Sequence, residues 1–424
     1  MTDDRTFGPF SGPVRGSVTV PGDKSLSHRA LVFGAMAEGE SHIEGLGPGA
    51  DIESTSQVLR SLGVEIAEGT VVSPGIAAWQ APEGDLDCGN SGTTLRLMAG
   101  AIAGRPFVST LTGDSSLQRR PMRRLVGPLE VLGASVETSG EGTAPIEISG
   151  RSLRGADIAI PMASAQLRTA FSLAALQADR PSRVDSPPGF RDHTERYLHA
   201  VGRGEMETPT RFRIDPGPLP PLRSAVPGDP SSAAFLVAVA AITPGSDLTI
   251  EGVSLNPGRL GFVDVLRQMG TDIEVTTTEM QFGEPIGTIR ARHGQLRGCR
   301  ISGDLTVRAL DELPLLGVVA AYADGETRIS NAGELRAKES DRIASTVAMV
   351  TSLGGQARET ASGFTVIGTG GLEPGRVETD HDHRIAMSAA VAATAAGPVE
   401  IADAAVAAVS WPSFYEELEA LWLS

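Results

Sequence analysis

The sequence predicts an α/β protein of two similar, pseudo-symmetric lobes, each built from three repeated units of helix and strand. Three observations predict this. An apolar-x-x-apolar-Gly signal closes a helical stretch five times, as LRSLG at Gly63, LEVLG at Gly133, LHAVG at Gly202, LRQMG at Gly270 and VTSLG at Gly354. The intervals are 70, 69, 68 and 84 residues. On a larger scale, VPGDKS at Val20–Ser25 returns as VPGDPSS at Val226–Ser232, 206 residues later and about three units on. Within each interval, helical and strand periods alternate.

Taken in order, Ile52–Leu62, Met122–Leu132 and Gly261–Met269 carry apolar residues at helical spacing. Val64–Ala67, Ile146–Ser149 and Arg300–Ser302 read as short strands. Each helix stops at glycine because the left-handed position after a helix costs glycine little. The stretch Ser413–Leu423 closes a sixth unit. A cleft between two such lobes is the expected ligand site.

Composition narrows the function. The 424 residues are enough for two or three domains, and 41% of them are apolar, enough for large cores. Cys88 and Cys299 are far apart in the chain, so neither a disulfide framework nor a thiolate metal site is expected. The start, MTDDRTFGPF, has two acids and no apolar core, unlike a signal peptide. The longest apolar stretches, such as Ala233–Ile242, are about half a membrane span. A cytoplasmic protein without a membrane or nucleic-acid partner is expected, and the net charge of −16 agrees. Anionic ligands are still possible if basic groups gather locally. Of 36 basic residues only Lys24 and Lys338 are lysines. Those two positions are where a compact ammonium with a tunable pKa would be kept.

The polar motifs share one construction, a turn entering a helix. Pro21-Gly22-Asp23-Lys24-Ser25-Leu26-Ser27-His28-Arg29 leads into the apolar helix Ala30–Ala37 and gathers Lys24, Ser25 and Arg29 near a helix N-terminus. Free amides and the helix dipole favour an anion there. Asp87–Arg96, Pro161–Gln166 and Asp380–Arg384 repeat the design, the last before Ile385–Ala396. Any one of these is accounted for by simple capping. Several together suit a ligand with several negative charges. Arg120 before Pro121 and Arg191 in PGFRDHTE add guanidinium groups. Lys338 and Arg342 share a helical face beside Glu339, and Asp311-Glu312 precedes an apolar stretch. Two carboxyls in one cationic site can divide acid and base work. His381 and His383 lack the further ligands that a metal needs. No dinucleotide fingerprint, GxSxG or reactive-cysteine setting is present. The chemistry is therefore expected to run on carboxyls, lysine and arginines, without metal or cofactor.

These motifs together resemble the 5-enolpyruvylshikimate-3-phosphate synthase family. The matching segments are PGDKSLSHR, GNSGTTLR, RRPM, PMASAQ, RDHTE, VPGDPSSAAF, NPGR, LDELP, AKESDR and DHR, in family order from about Val18 to the last helix. The resemblance implies six βαβαββ units, three per lobe (the enolpyruvyl transferase fold), with the active site in the interlobe cleft. It assigns residues 1–18 and 229–424 to a C-terminal lobe and 19–228 to an N-terminal lobe. It implies transfer of the enolpyruvyl group of phosphoenolpyruvate to the 5-hydroxyl of shikimate 3-phosphate, a step toward chorismate and the aromatic amino acids, by a monomer. Shikimate 3-phosphate would be held by Lys24, Ser25, Arg29, Ser164, Gln166, Arg191, Asp311 and Lys338. Phosphoenolpyruvate would be held by Lys24, Gly92, Arg120, Gln166, Arg342 and Arg384. Asp311 would take the hydroxyl proton, Glu339 would protonate the methylene carbon, and Lys24 would reach the reacting centre.

The sequence departs from the family pattern at several points. Val409 stands where many relatives have a lysine before the aromatic-Pro pair, and Ala165 where a second serine is common. With GDKS and RDHTE, Ala165 resembles the subgroup tolerant to the inhibitor glyphosate. Gly92 is not the alanine some of that subgroup carry, and Arg168 and Gly258 replace its usual lysine and threonine. The sister family acting on UDP-N-acetylglucosamine opens with Lys-Asn, whereas Lys24 is followed by Ser25 here, and Arg119-Arg120-Pro121 marks the shikimate family. A non-catalytic phosphometabolite-binding protein on this scaffold would be expected to lose Asp311 or Glu339, and both are present.

Overall fold

Six helices are buried along most of their length, and four of them, the first three and the last, open on the polar turns read from the sequence. They are Lys24–Met36, Gly92–Ile102, Ala165–Ala175, Pro230–Ile242, Leu313–Ala321 and His383–Ala396. Pro230–Ile242, PSSAAFLVAVAAI, is buried at every position, as a helix apolar on all sides must be. Five of the six have a capping side chain. Asp23, Ser91, Ser164, Asp229 and Asp382 accept hydrogen bonds from the amides of Leu26, Thr94, Leu167, Ser231 and Arg384. Asp23 and Asp229 hold equivalent places in the two VPGD motifs, each heading a 13-residue helix. The capping explains why the first helix starts at Lys24 rather than Ala30. The polar motif is itself the first turn.

The computed structural model of the protein describes residues 3–423. In it the chain packs as two compact units. The terminal unit comprises the described residues of Met1–Pro21, Pro227–Glu279 and Pro285–Ser424, and the inserted unit comprises Gly22–Val226 and Met280–Glu284. Each has its own apolar core. In the inserted unit, Gly100 allows the Gly92 and Ala165 helices to touch, because a Cβ there would lie 2.2 Å from the carbonyl oxygen of Ala170.

The amphipathic helices cover these buried ones. Gly261–Met269 runs as expected and buries Phe262, Val265, Leu266 and Met269, the spacing of one face. The expected helix over Met122–Leu132 is instead a 3₁₀ turn, Arg123–Leu125, followed by Val126–Glu130. Pro128 has no N–H and fits only the first turn of a helix, so the α-helix starts just before it. The five repeat glycines, 63, 133, 202, 270 and 354, all have φ between 70° and 105°. Each is followed by a strand at the edge of a four-stranded sheet: Glu65–Ala67, Ser135–Thr138, Gly204–Met206, Asp272–Gln281 and Gln356–Thr360.

Each four-stranded sheet repeats one order. In the sheet of Leu86–Asp87, Val108–Thr112, Ile146–Ser149 and Ser135–Thr138, the first two strands are parallel, with Leu86 opposite Leu111. The third and fourth strands are antiparallel, with Ser135 opposite Ser149. The parallel pair needs a crossover, and the buried helix Gly92–Ile102 supplies it. The inserted unit has three such sheets. The terminal unit has two, plus a three-stranded sheet of Arg5–Phe7, Val399–Ile401 and Gly375–Val377. Among the described residues no helix is long and apolar enough to cross a membrane.

Candidate active site

In the inserted unit, the starts of the Lys24, Gly92 and Ala165 helices are linked by side chains. Lys24 Nζ lies 3.1 Å from Asp51 Oδ2. One turn on, buried His28 Nδ1 is 2.7 Å from Thr55 Oγ1, which is 2.7 Å from Thr94 Oγ1. Burial, then the charges of Lys24 and Arg29, push the His28 pKa well below 6.5, so the ring is neutral at pH 7. Arg29 donates to Thr194 Oγ1, Thr169 Oγ1 and the carbonyl of Ser25. Burial pulls its pKa down to about 10, against the pull of Glu195, Asp23 and Glu284, and it stays charged at neutral pH. Gln166 donates to Thr93 Oγ1 and accepts from Arg96 Nη1 at 2.8 Å. Arg120 donates to Asn90 Oδ1 at 2.6 Å, and Asn90 donates to Asp114. A Cβ at Gly92 would lie 2.8 Å from Arg96 Nη1 and 3.4 Å from Arg120 Nη1. Gly92, Arg96, Arg120 and Gln166 are thus one neighbourhood.

Ser164 and Ala165 begin the third of these helices, and Ser164 Oγ accepts the capping hydrogen bond from the amide of Leu167. Arg168 lies deeper. It donates to Glu195 at 2.6 Å, to Ser186 and to the Thr210 carbonyl, and its guanidinium stacks 3.9 Å over the ring of Phe190. Phe190 directly precedes half-buried Arg191. Arg168 therefore braces the segment that carries Arg191.

In the terminal unit, the second cluster centres on Arg342, which is 2% exposed. Its guanidinium reaches Asp382 through Nε at 2.7 Å and Nη2 at 3.1 Å, Glu339 Oε2 at 2.7 Å and Asp311 Oδ1 at 3.5 Å. Burial alone would lower the Arg342 pKa, but the carboxylates of Asp382, Glu339 and Asp311 outweigh it and raise it. Burial would likewise raise Asp382, and Arg342 holds it below the usual carboxylate range instead. Lys338 Nζ is 3.2 Å from Asp311 Oδ1. Both lysines of the chain thus face an aspartate. Arg384, at the start of its helix, lies 3.5 Å from Glu312. The turn before it is wound left-handed at Asp380 and His381, with φ of 52° and 56°.

Each sequence-derived candidate falls in one of these two clusters or on the motif turn beside it. Lys24, Ser25, Arg29, Gly92, Arg120, Ser164, Gln166 and Arg191 belong to the inserted unit, and Asp311, Lys338, Glu339, Arg342 and Arg384 to the terminal one. The two histidines considered for a metal diverge. His381 is 88% exposed against Asp403, while His383 is buried. Among the described residues no group of three or more His, Cys, Asp or Glu side chains is placed to hold a metal. Val409 ends a short 3₁₀ helix, Ala404–Val409. Sequence reasoning missed Asp51 and the part played by Arg96. Arg96 stood inside a quoted motif, GNSGTTLR, and its i+4 spacing from Gly92 was the available signal.

Two units of repeated sheets, each presenting polar helix starts with convergent cations, define an enolpyruvyl-transferase type of fold. An enolpyruvyl transferase from Streptomyces tendae has this fold, with a TM-score of 0.76 at 20% identity over 99% of this chain and 96% of that one. The chain belongs to the EPSP synthase family: the model described as "EPSP synthase (3-phosphoshikimate 1-carboxyvinyltransferase)" matches residues 10–418. A 3-phosphoshikimate 1-carboxyvinyltransferase from Herpetosiphon aurantiacus is 45% identical over 95% of this chain and 96% of its own. The solved EPSP synthase from Acinetobacter baumannii superposes with a TM-score of 0.86 at 38% identity, covering 99% of this chain and 98% of that one.

Proposed function

We propose that the protein transfers the enolpyruvyl group of phosphoenolpyruvate to the 5-hydroxyl of shikimate 3-phosphate and releases inorganic phosphate, a step of the shikimate pathway. The observation that carries the chemistry is that one buried guanidinium, Arg342, touches both Asp311 and Glu339. Two carboxyls beside one fixed cation can act on opposite ends of the same addition.

In its acid form, Glu339 gives a proton to the methylene carbon of phosphoenolpyruvate, and positive character develops at the neighbouring carbon. The 5-hydroxyl oxygen bonds to that carbon as Asp311 takes its proton. The product of this addition is a tetrahedral phospho-ketal. Glu339 then removes a proton from the new methyl group as the carbon–oxygen bond to phosphate breaks; the enol ether forms, and the departing phosphate takes the proton held by Asp311, which restores both carboxyls. Lys24, Gly92, Arg120, Gln166, Arg342 and Arg384 are the ligands of phosphoenolpyruvate, and the cations among them stabilise the leaving phosphate. Lys24, Ser25, Arg29, Ser164, Gln166, Arg191, Asp311 and Lys338 hold shikimate 3-phosphate. The unpaired Cys88 and Cys299 suit a reducing cytoplasm. We take the working form to be a monomer of 44.0 kDa.

The test is to measure phosphate release by wild type, Asp311→Asn and Glu339→Gln, with substrate binding followed by calorimetry. Each variant is expected to lose roughly 10²- to 10⁴-fold in kcat while still binding shikimate 3-phosphate. Near-normal turnover in either would remove that residue from the mechanism.

A further inference from the structure

Asp311 and Glu312 are neighbours in one 3₁₀ turn, Leu310–Glu312, yet their carboxylates have different partners. Asp311 faces Lys338 and Arg342. Glu312, 1% exposed, stands at the capping position of Leu313–Ala321 but accepts no capping hydrogen bond. At the other five buried helices the residue in that place caps the helix amides. Glu312 instead accepts from Ser231 Oγ and lies 3.5 Å from Arg384 Nη1. Arg259 Nη2 donates to Ser231 Oγ at 2.8 Å and to Asp229 at 2.7 Å. A buried chain thus runs from Arg259 of NPGR to Arg384 of DHR, entirely inside the terminal unit.

The last contact in that chain is electrostatic. At 3.5 Å, Arg384 Nη1 makes no hydrogen bond to Glu312 or to any other protein group among the described residues, and Glu312 Oε2 also has no such partner. Leaving a buried donor and a buried acceptor unused costs free energy in a finished fold. It is useful if the donor serves a ligand. A charged carboxylate fixes the direction of the guanidinium without saturating it.

We propose that Glu312 is a positioning residue of the enolpyruvyl-donor site: its buried carboxylate aims Arg384 and leaves a donor of that group for phosphoenolpyruvate. The proposal rests on the reading of Arg384 as a phosphoenolpyruvate ligand. Glu312 is too enclosed to meet substrate itself, so it acts through Arg384. Glutamine would keep the shape and the bond from Ser231, and would remove only the charge.

The experiment compares KM and kcat for wild type, Glu312→Gln, Arg384→Gln and the double variant, with shikimate 3-phosphate affinity by calorimetry. Glu312→Gln is expected to raise KM for phosphoenolpyruvate roughly 10- to 100-fold, the scale of a misplaced binding group. Its kcat should stay within roughly threefold, and shikimate 3-phosphate affinity should be unchanged. The double variant should be no worse than Arg384→Gln alone, because both act through one contact. Equal losses for both substrates, or penalties that multiply in the double variant, would overturn the positioning role. Should Arg384→Gln leave KM for phosphoenolpyruvate unchanged, the ligand reading of Arg384 fails, and this proposal with it. A raised KM in Arg384→Gln with none in Glu312→Gln sinks the positioning role alone. Where Glu312→Gln does not fold, Ser231→Ala, which frees the Glu312 carboxylate to turn, should still raise the same KM, and an unchanged value there would count against the proposal.

Discussion

Asp382→Asn tests whether the Arg342 cluster is held by charge. In the native protein Asp382 accepts two hydrogen bonds from Arg342, one from Ser340 and one from the amide of Arg384. Asparagine still caps the helix, so little of the effect comes from the lost cap. Its amide NH₂, however, would face a guanidinium donor, and the pair loses its charge balance. Removing one partner of a buried pair costs roughly 3–5 kcal/mol. Arg342 keeps Glu339 and Asp311, so the lower end, about 3 kcal/mol, applies. For a unit of roughly 150–250 residues, each kcal/mol moves the melting temperature by about 2–4 °C. Calorimetric melting of the terminal unit should therefore fall by about 6–12 °C. The pH dependence has a fixed sign. The folded-state pKa of Asp382 is depressed, so its stabilisation is complete above the unfolded value and lost as pH falls through the folded one. The gap between wild type and variant should be constant from about pH 5 to pH 9 and narrow only below about pH 4. A shift under about 2 °C at pH 7.5 would refute the reasoning, since it would mean that the pair contributes almost nothing.

Two further predictions use the inserted unit. His28 is neutral and its pKa is depressed, so wild-type stability should begin to fall as pH drops through about 6.5, by up to about 1.4 kcal/mol per pH unit. His28→Asn, which can still bond Thr55, should flatten that slope below about pH 6.5, and an unchanged slope would show that His28 does not cause it. In Gly92→Ala the new methyl would press on Arg96 and Arg120. Because the obstacle is the end of flexible side chains, melting should change little while KM for phosphoenolpyruvate rises about fivefold or more, as about 1 kcal/mol of crowding requires. A KM within twofold of wild type would show that Gly92 does not border the donor.

The sequence made the repeat legible because its punctuation is local. A glycine closing a helix needs φ > 0, and the five glycines of the repeat all have it. A cap needs an oxygen one residue before the helix, and Asp23, Ser91, Ser164, Asp229 and Asp382 are those oxygens. The arginines and both lysines were legible for the same reason, each sitting in a short motif. Their partners were less so. Asp51 meets Lys24, Gln166 meets Arg96 and Asp382 meets Arg342 across 27, 70 and 40 residues, distances that only the sheet and helix topology closes. Asp382 holds Arg342 and Asp341 holds Arg336, whereas Asp114 reaches Arg120 only through Asn90. Glu312 was read as half of an acid pair, and its separate engagement with Ser231 and Arg384 depends on a helix start that no local rule fixes.

The most direct measurement follows phosphoenolpyruvate labelled with ¹³C at its second carbon by NMR, with the purified protein, shikimate 3-phosphate and a chelator, and UDP-N-acetylglucosamine as the control acceptor. Conversion to an enol ether on the shikimate 5-oxygen, with one phosphate released per ether formed and nothing formed on the nucleotide sugar, is the predicted result. Ether formation only on the nucleotide sugar, or phosphate release with pyruvate and no ether, would contradict the account.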